Sequence, residues 1–202
     1  MLRSWLGLHV LRILAAPVGT PSVHEDQGPL DYVPLSEEQA LAWCADPELE
    51  LDPQRVHAAY RRGDICVGAT EAGVPVAYTW FAYAPAPHIQ GMWVNFGGFA
   101  RYVYKTFVRP SHRGRRIARE LYRRASAICP ARGRTLNVLM VDVDNDASAR
   151  SAEGAGYVGI GYAGFLRGLA FRSPGAARCG FCFFRPEVVE HGRLTPKLQP
   201  YK

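Results

Sequence analysis

Phe107-Val-Arg-Pro-Ser-His-Arg-Gly-Arg-Arg-Ile-Ala118 runs from a β-branched strand through a Pro/Gly turn directly into a basic helix. A helix start leaves its first N–H groups without intrahelical partners and carries about half a positive charge, so it is a natural seat for a phosphate. Gly114 lets the backbone approach such a group closely, and Arg113, Arg115, Arg116 and Arg119 surround the same opening. That density of guanidinium groups suits a polyphosphate better than a single carboxylate.

The charge of the whole chain is concentrated around this stretch. The 202 residues are 48% hydrophobic and 21% charged, with a formal net charge of +6, which fits one globular domain with an accessory end. Of the 24 Lys and Arg residues, eleven fall between Arg101 and Arg134 against the single acid Glu120, an asymmetry that points to one anionic partner site. Five scattered cysteines do not form a disulfide framework and fit reduced thiols in the cytoplasm. Cys179 and Cys182 have CxxC spacing, but no second pair completes a zinc site, so no metal is expected.

Outward from the anion loop, the elements fall into a regular order. A short strand around Tyr32-Val33 precedes Ser36-Glu-Glu-Gln39, a capping-box pattern, and Asp52-Pro53 opens a second helix that Gly63 closes. Ile65–Thr70 and Val74–Tyr83 read as a hairpin. A Pro/Gly-rich stretch, Ala84–Ala100, then leads to a strand Tyr102–Val108, the loop, and a helix Arg115–Ile128. Leu136–Val143 is a nearly continuous apolar strand, hence central in a sheet. A helix Ala147–Gly154, a strand Tyr157–Leu169 and a last strand Gly180–Arg185 follow.

The segment Arg113-Gly114-Arg115-Arg116-Ile117-Ala118 resembles the acyl-CoA pyrophosphate loop of the GNAT N-acetyltransferase superfamily, Gln/Arg-x-x-Gly-x-Gly/Ala, departing from it at Arg116 where Gly is usual. Asn145-Asp-Ala-Ser148 with Gly156-Tyr157 resembles the family's second block, Asn-x-x-Ala/Ser followed by Gly-Phe/Tyr, and the order of elements matches too. The resemblance implies an α/β (α+β) acyl-CoA N-acyltransferase fold, a mixed sheet of about six to seven strands with helices on both faces. It implies a GNAT domain over residues 30–186, flanked by an N-terminal amphipathic segment and linker, 1–29, and a tail, 187–202.

The same resemblance implies acetyl-CoA, or another acyl-CoA, as co-substrate and an unidentified amine as acceptor. The CoA would be held by Phe107, Val108, Arg113, Gly114, Arg115, Arg116, Ile117, Ala118, Asn145 and Ser148, with a backbone N–H near Phe107 facing the thioester carbonyl. Many members place a proton-donating Tyr where this chain has Ala152; Tyr157 and Tyr162 are the substitutes nearest in sequence. An amine must lose a proton before it attacks, and the strands around residues 78–83 and 102–108 hold no acid. His88, His112, Asp142 and Asp144 are the remaining candidates for a base, with His88, Asp142 and Tyr157 as the catalytic set.

The acceptor site is expected from the first two helices, the last two strands and the 84–100 loop, which carries His88, Gln90, Met92, Trp93, Asn95 and Phe96. With Trp80, Phe81 and Tyr83, these suggest a ligand with a hydrophobic or planar part, or simply a cover for the sheet. Residues 1–19, apolar around Arg3 and Arg12, read as a docked helix, a subunit contact, or a basic amphipathic segment on a membrane surface. Two other functions stay open at this point. One is an acyl-CoA-binding sensor or interaction domain without catalysis; the other is a basic nucleic-acid-binding protein, which no helix-turn-helix, zinc or RNA-binding motif supports.

Overall fold

A computed structural model describes residues 8–19, 29–88, 92–166, 169–184, 186–187 and 195–196. Strand β1, Leu8–Pro17, is followed by β2, Leu30–Pro34, and the short helix α1, Glu37–Trp43. Ser36 starts α1 as expected. Its hydroxyl accepts from the Gln39 N–H at 3.1 Å and Gln39 Oε1 accepts from the Ser36 N–H at 2.8 Å, which satisfies two otherwise unpaired donors. Helix α2, Pro53–Arg61, begins at Asp52, whose carboxylate accepts from the Gln54 N–H at 2.9 Å. The hairpin is β3, Ile65–Glu71, and β4, Val74–Ala82, and two short strands, β5, Ala86–Pro87, and β6, Trp93–Asn95, lie in the Pro/Gly-rich stretch.

Strand β7, Ala100–Val108, leads through the anion loop to α3, Ile117–Ile128, then β8, Leu136–Asp142, and α4, Asp146–Gly154. The chain continues with β9, Val158–Leu166, β10, Leu169–Arg172, a short helix α5, Pro174–Arg178, and β11, Cys182–Phe184. Two further pairs of residues, β12, Pro186–Glu187, and β13, Thr195–Pro196, pair with each other. The main sheet has eight strands in the order β10-β9-β1-β8-β7-β4-β3-β2, and β11-β6-β5 form a small second sheet. Only β7 and β8 run parallel in the main sheet; every other neighbour is antiparallel.

The N-terminal segment departs from expectation. Residues 8–17 are not a docked helix or a membrane-surface segment but a strand set between β8 and β9. Leu11, Ile13 and Ala15 pack into one buried cluster and Leu14 and Ala16 into another, the two-residue alternation of a strand covered on both faces. A strand buried on both faces is apolar at nearly every position, so its composition matches that of a buried helix. The sheet therefore starts at Leu8, not near residue 30. Residues 1–7, Gln90 and most of the expected tail lie outside the described residues. Among the described residues, no helix is long and apolar enough to cross a membrane.

The last strands differ as well. The expected strand Tyr157–Leu169 turns back as the hairpin β9–β10, and β11 pairs with β6 in the small sheet, because β1 already occupies the free edge of β8. Phe181 and Phe183, beside Met92 and Val94, close the face of the main sheet that carries Tyr102, Val138 and Phe165. Helices α3 and α4 cover the opposite face, where Leu121, Tyr122 and Ala125 meet Phe81, Val103, Leu139 and Ala149. Helices α1 and α2 cover the outer half of the first face through Ala40, Val56 and Ala59 against Cys66, Tyr78 and Trp80.

Candidate active site

Two backbone irregularities open the site. β7 and β8 pair only from Ala100–Leu136 to Val103–Leu139, yet β7 continues to Val108 and β8 to Asp142, so the parallel pair splays apart beyond that point. A bulge in β7 accompanies the splay: Phe107 lies opposite Tyr78 and Tyr104 opposite Trp80, so three steps on β7 face two on β4, and Lys105 has φ +48°. Past the bulge the Arg109 N–H donates to Val76 O at 2.8 Å. Antiparallel alternation then turns the Phe107 amide toward β4 and the Val108 amide toward the gap. The donor facing the gap is thus the Val108 amide, next to Phe107.

The second irregularity is the start of α3. Arg116, at the N-cap, adopts φ +61° and makes no side-chain capping bond. The first helical bond runs from the Glu120 N–H to Arg116 O, so the N–H groups of Ile117, Ala118 and Arg119 have no intrahelical partner. The left-handed backbone explains why glycine is usual here, and it makes the helix begin at Ile117, two residues later than expected. Gly114 has φ +78°, and a Cβ built on it meets nothing within 4 Å. Its role is a left-handed turn and open space in front of the helix, not close packing.

Gap and helix start open on one cavity of about 700 Å³. Nine of the ten residues expected to hold CoA line it: Phe107, Val108, Arg113, Gly114, Arg116, Ile117, Ala118, Asn145 and Ser148. Arg115 does not, because its guanidinium is paired with Glu71, which also accepts from His112 Nε2 at 3.1 Å. Those partners hold the Glu71 carboxyl below its ordinary range, the Arg115 hydrogen bond most strongly. Asn145 caps α4, its Oδ1 accepting from the Ser148 N–H at 3.0 Å, which leaves the amide nitrogen as the donor it can offer. A second helix N-terminus therefore faces the same cavity.

The eleven cations from Arg101 to Arg134 are divided among different tasks. Arg109 is tied to Asp46, Glu48 and Pro75 O, Arg123 to Glu120, and Arg134 to carbonyls of Gly98 and Tyr83. Arg101 is fully buried, with 0% exposure. Its Nη2 donates to Ser126 O at 2.6 Å, its Nη1 to Cys129 O at 2.8 Å, and its Nε to Asn137 Oδ1 at 2.5 Å. It closes the C-terminal end of α3. Only Arg113, Arg116 and Arg119 of the eleven line the cavity, joined by Arg150 from α4.

Of the candidate bases only His112 lines the cavity; Asp142, Asp144 and His88 do not, nor does Tyr157. Asp142 is exposed at the end of β8 and accepts from the Asp144 N–H at 3.4 Å. His88 packs near Phe183, with an enclosed Nε2 that has no hydrogen-bond partner. Burial pushes its pKa down to about 4, with nearby His9 acting in the same direction and Asp142 against it, so these two candidates are electrostatic neighbours. Tyr157 is 3% exposed and lies behind Tyr122, ring centroids 5.6 Å apart. Burial raises its phenol well above the ordinary range, and its hydroxyl has no partner and does not reach the cavity wall.

Several wall residues were not read from the sequence, among them Thr106, Tyr122, Ala147, Arg150, Ser151 and Gly154. Tyr122 belongs to the apolar stripe Ile117, Leu121, Tyr122 and Ala125 of α3, where a pattern reading assigns it to the core. On the α1–α2 face, Tyr104, the first β7 residue past the paired segment, donates to Asp64 Oδ2 at 2.6 Å, and Arg62 pairs with the same oxygen at 2.7 Å. Burial raises the Asp64 pKa against the opposing pull of Arg62 and Tyr104.

Solved structures share this architecture. A protein from Novosphingobium aromaticivorans assigned to the GNAT family superposes with a TM-score of 0.52 at 22% identity, covering 75% of this chain and 60% of its own. A functionally unknown conserved protein from Staphylococcus epidermidis gives 0.54 at 13%, covering 79% and 62%. A GCN5-related N-acetyltransferase from Kribbella flavida gives 0.51 at 19%, covering 87% and 63%. The chain thus spans about three fifths of the length of these structures, which support the fold. No curated protein matches it in sequence. The sequence profile of the acetyltransferase (GNAT) family matches residues 32–157, more than half of the chain, from within β2 to just past the end of α4, and on that match the chain belongs to the acetyltransferase (GNAT) family.

Proposed function

We propose that the protein transfers an acyl group, with acetyl the simplest case, from acyl-CoA to an amine by direct attack in a ternary complex. One observation carries this reading: the open edge of β7 beyond Val103 and the uncapped start of α3 face the same cavity. The N–H groups of Ile117, Ala118 and Arg119, with Arg113 and Arg116, suit a pyrophosphate. The Val108 amide, Asn145 and Ser148 suit the polar arm that follows it. The Val108 N–H, or a neighbour across the bulge, is then placed to stabilise charge on the thioester oxygen, a contribution of about 3–4 kcal/mol to the barrier. Holding donor and acceptor together supplies most of the remaining acceleration.

On this reading the amine loses its proton to solvent at the open cavity, since Asp142 and His88 do not line it. Titration calorimetry with acetyl-CoA, followed by thiol release over a panel of primary amines, tests the proposal. Micromolar binding with turnover of at least one amine supports it. Folded protein that binds no acetyl-CoA overturns it, and binding without turnover across the panel replaces the enzyme by an acyl-CoA sensor.

A further inference from the structure

The family's usual proton donor to the leaving thiol would sit at position 152, and here that residue is Ala152, 0% exposed and packed in the same cluster as Tyr122 and Tyr157. Tyr122 approaches from the neighbouring helix. It is 4% exposed overall, yet it is the tyrosine on the cavity wall, where Thr106 on β7 and Ser148 on α4 flank it and partly offset the rise that burial imposes on its phenol. Both of those residues also line the cavity. Tyr122 lies five residues into α3 from Ile117, about 7.5 Å along the axis from the phosphate end. That displacement carries its hydroxyl toward the bulge in β7, where the strands begin to part.

We propose that Tyr122 is the group that donates a proton to the departing CoA sulfur, an assignment that rests on the acyl-CoA reading above. As the tetrahedral intermediate collapses, the carbon–sulfur bond breaks, its electron pair stays on sulfur, and the Tyr122 O–H proton passes to that sulfur. The phenolate recovers a proton from solvent through the Ser148 or Thr106 hydroxyl, and the proton lost by the attacking amine leaves to solvent. The small side chain at 152 and the large one at 122 are then two halves of one exchange: the hydroxyl reaches the cavity from α3 instead of α4. Tyr157 supports the ring from behind and does not substitute for it.

The experiment uses CoA and desulfo-CoA, which differ only at the sulfur, with the full chain and its Tyr122→Phe variant. Calorimetry is run at about pH 9.5, above the ordinary thiol value near 8.5, so that the bound sulfur carries the charge it carries on departure. Tyr157, the phenol packed against the ring, and Tyr102 across the sheet are both raised by burial and stay neutral there. Wild type should bind CoA about 10-fold more tightly than desulfo-CoA through a charge-assisted hydrogen bond, and Tyr122→Phe should bind the two alike. Unchanged desulfo-CoA affinity in the variant shows that the site is intact. Equal weakening of both ligands, or of neither, overturns the role of Tyr122 while leaving the CoA site standing. Failure of the wild type to bind either ligand overturns both.

Discussion

The two ends of helix α3 are both ringed by arginine and do opposite things with it. At the C-terminal end a single fully buried guanidinium, Arg101, takes up carbonyls of Ser126, Cys129 and Pro130 together with Asn137 Oδ1, while packing 4.7 Å from the Phe81 ring. A helix C-terminus carries partial negative charge, so the cation is compensated without an acid. At the N-terminal end nothing closes the helix: Arg116 is left-handed, makes no cap, and lies exposed with Arg113 around open space. An arginine stabilises the fold where carbonyls surround it and, on the acyl-CoA reading proposed above, is left for a ligand where N–H groups do. The same residue type at similar density therefore has no fixed meaning until the helix end it faces is known.

The contrast can be broken most forcefully at the closed end. Arg101→Met removes the shared donor from a buried set of oxygens, Ser126 O, Cys129 O and Asn137 Oδ1 among them, and should cost about 3–5 kcal/mol of stability, read by urea unfolding. The affinity of the folded protein for acetyl-CoA should change less than about twofold, since the site lies at the other end of the helix. A stable variant, or one that keeps its stability and loses CoA, would erase the distinction between the ends.

Gly114→Val tests the open end. A β-branched side chain at φ +78° projects into the space before the helix, so acetyl-CoA affinity should fall at least about 100-fold, near 3 kcal/mol. The strained backbone should cost about 1–2 kcal/mol of stability, less than the loss at Arg101. Unchanged affinity would remove the phosphates from this loop.

Between these in kind, and smaller in size, is a control with pH. The guanidinium groups at both helix ends stay charged, whereas His88 titrates at different pH in the folded and unfolded chain. Its folded pKa of about 4 lies below the unfolded value near 6.5, so the unfolded chain binds the proton first and stability falls as pH drops through that window. About 2 kcal/mol should be lost from pH 7 to about pH 5. His88→Gln should flatten that slope, whereas the penalty of Arg101→Met should be the same at both pH values. The smallest expected effect is Arg116→Gly, which relieves the left-handed backbone and should raise stability by about 1 kcal/mol while lowering CoA affinity only several-fold. A thermal scan beside a CoA titration separates the two changes.

The loop, the strand that feeds it and the second block were legible because their signals are local. Gly114, Pro110, the capping pattern at Ser36 and the Asn145 cap each act within a few residues, and the structure places nine of ten expected CoA residues on one wall. Arg115 was misplaced for a reason the local pattern lacks: its partner, Glu71, is 44 positions away. Tyr122 was hidden by its position on an apolar stripe, and Tyr157 was misleading because a buried phenol and a catalytic one look alike in sequence. The strand Leu8–Pro17 was hidden in the same way, since burial on both faces removes the alternation that distinguishes a strand from a helix.

What the sequence determined by itself is the chemistry of short range. It set the turn that starts α3, the caps, the apolar periods and the family to which residues 32–157 belong, because each depends on neighbours within about two helical turns. Tertiary structure decided which edge of β8 the N-terminal strand would take, which arginines meet a carboxylate, a helix end or open space, and which tyrosine reaches the cavity. Those outcomes depend on pairings such as Arg12 with Asp146, 134 positions apart, which β1 brings to the start of α4 and so to the loop that carries Asn145. No window along the chain contains both partners of such a contact, so only the folded sheet can assign it.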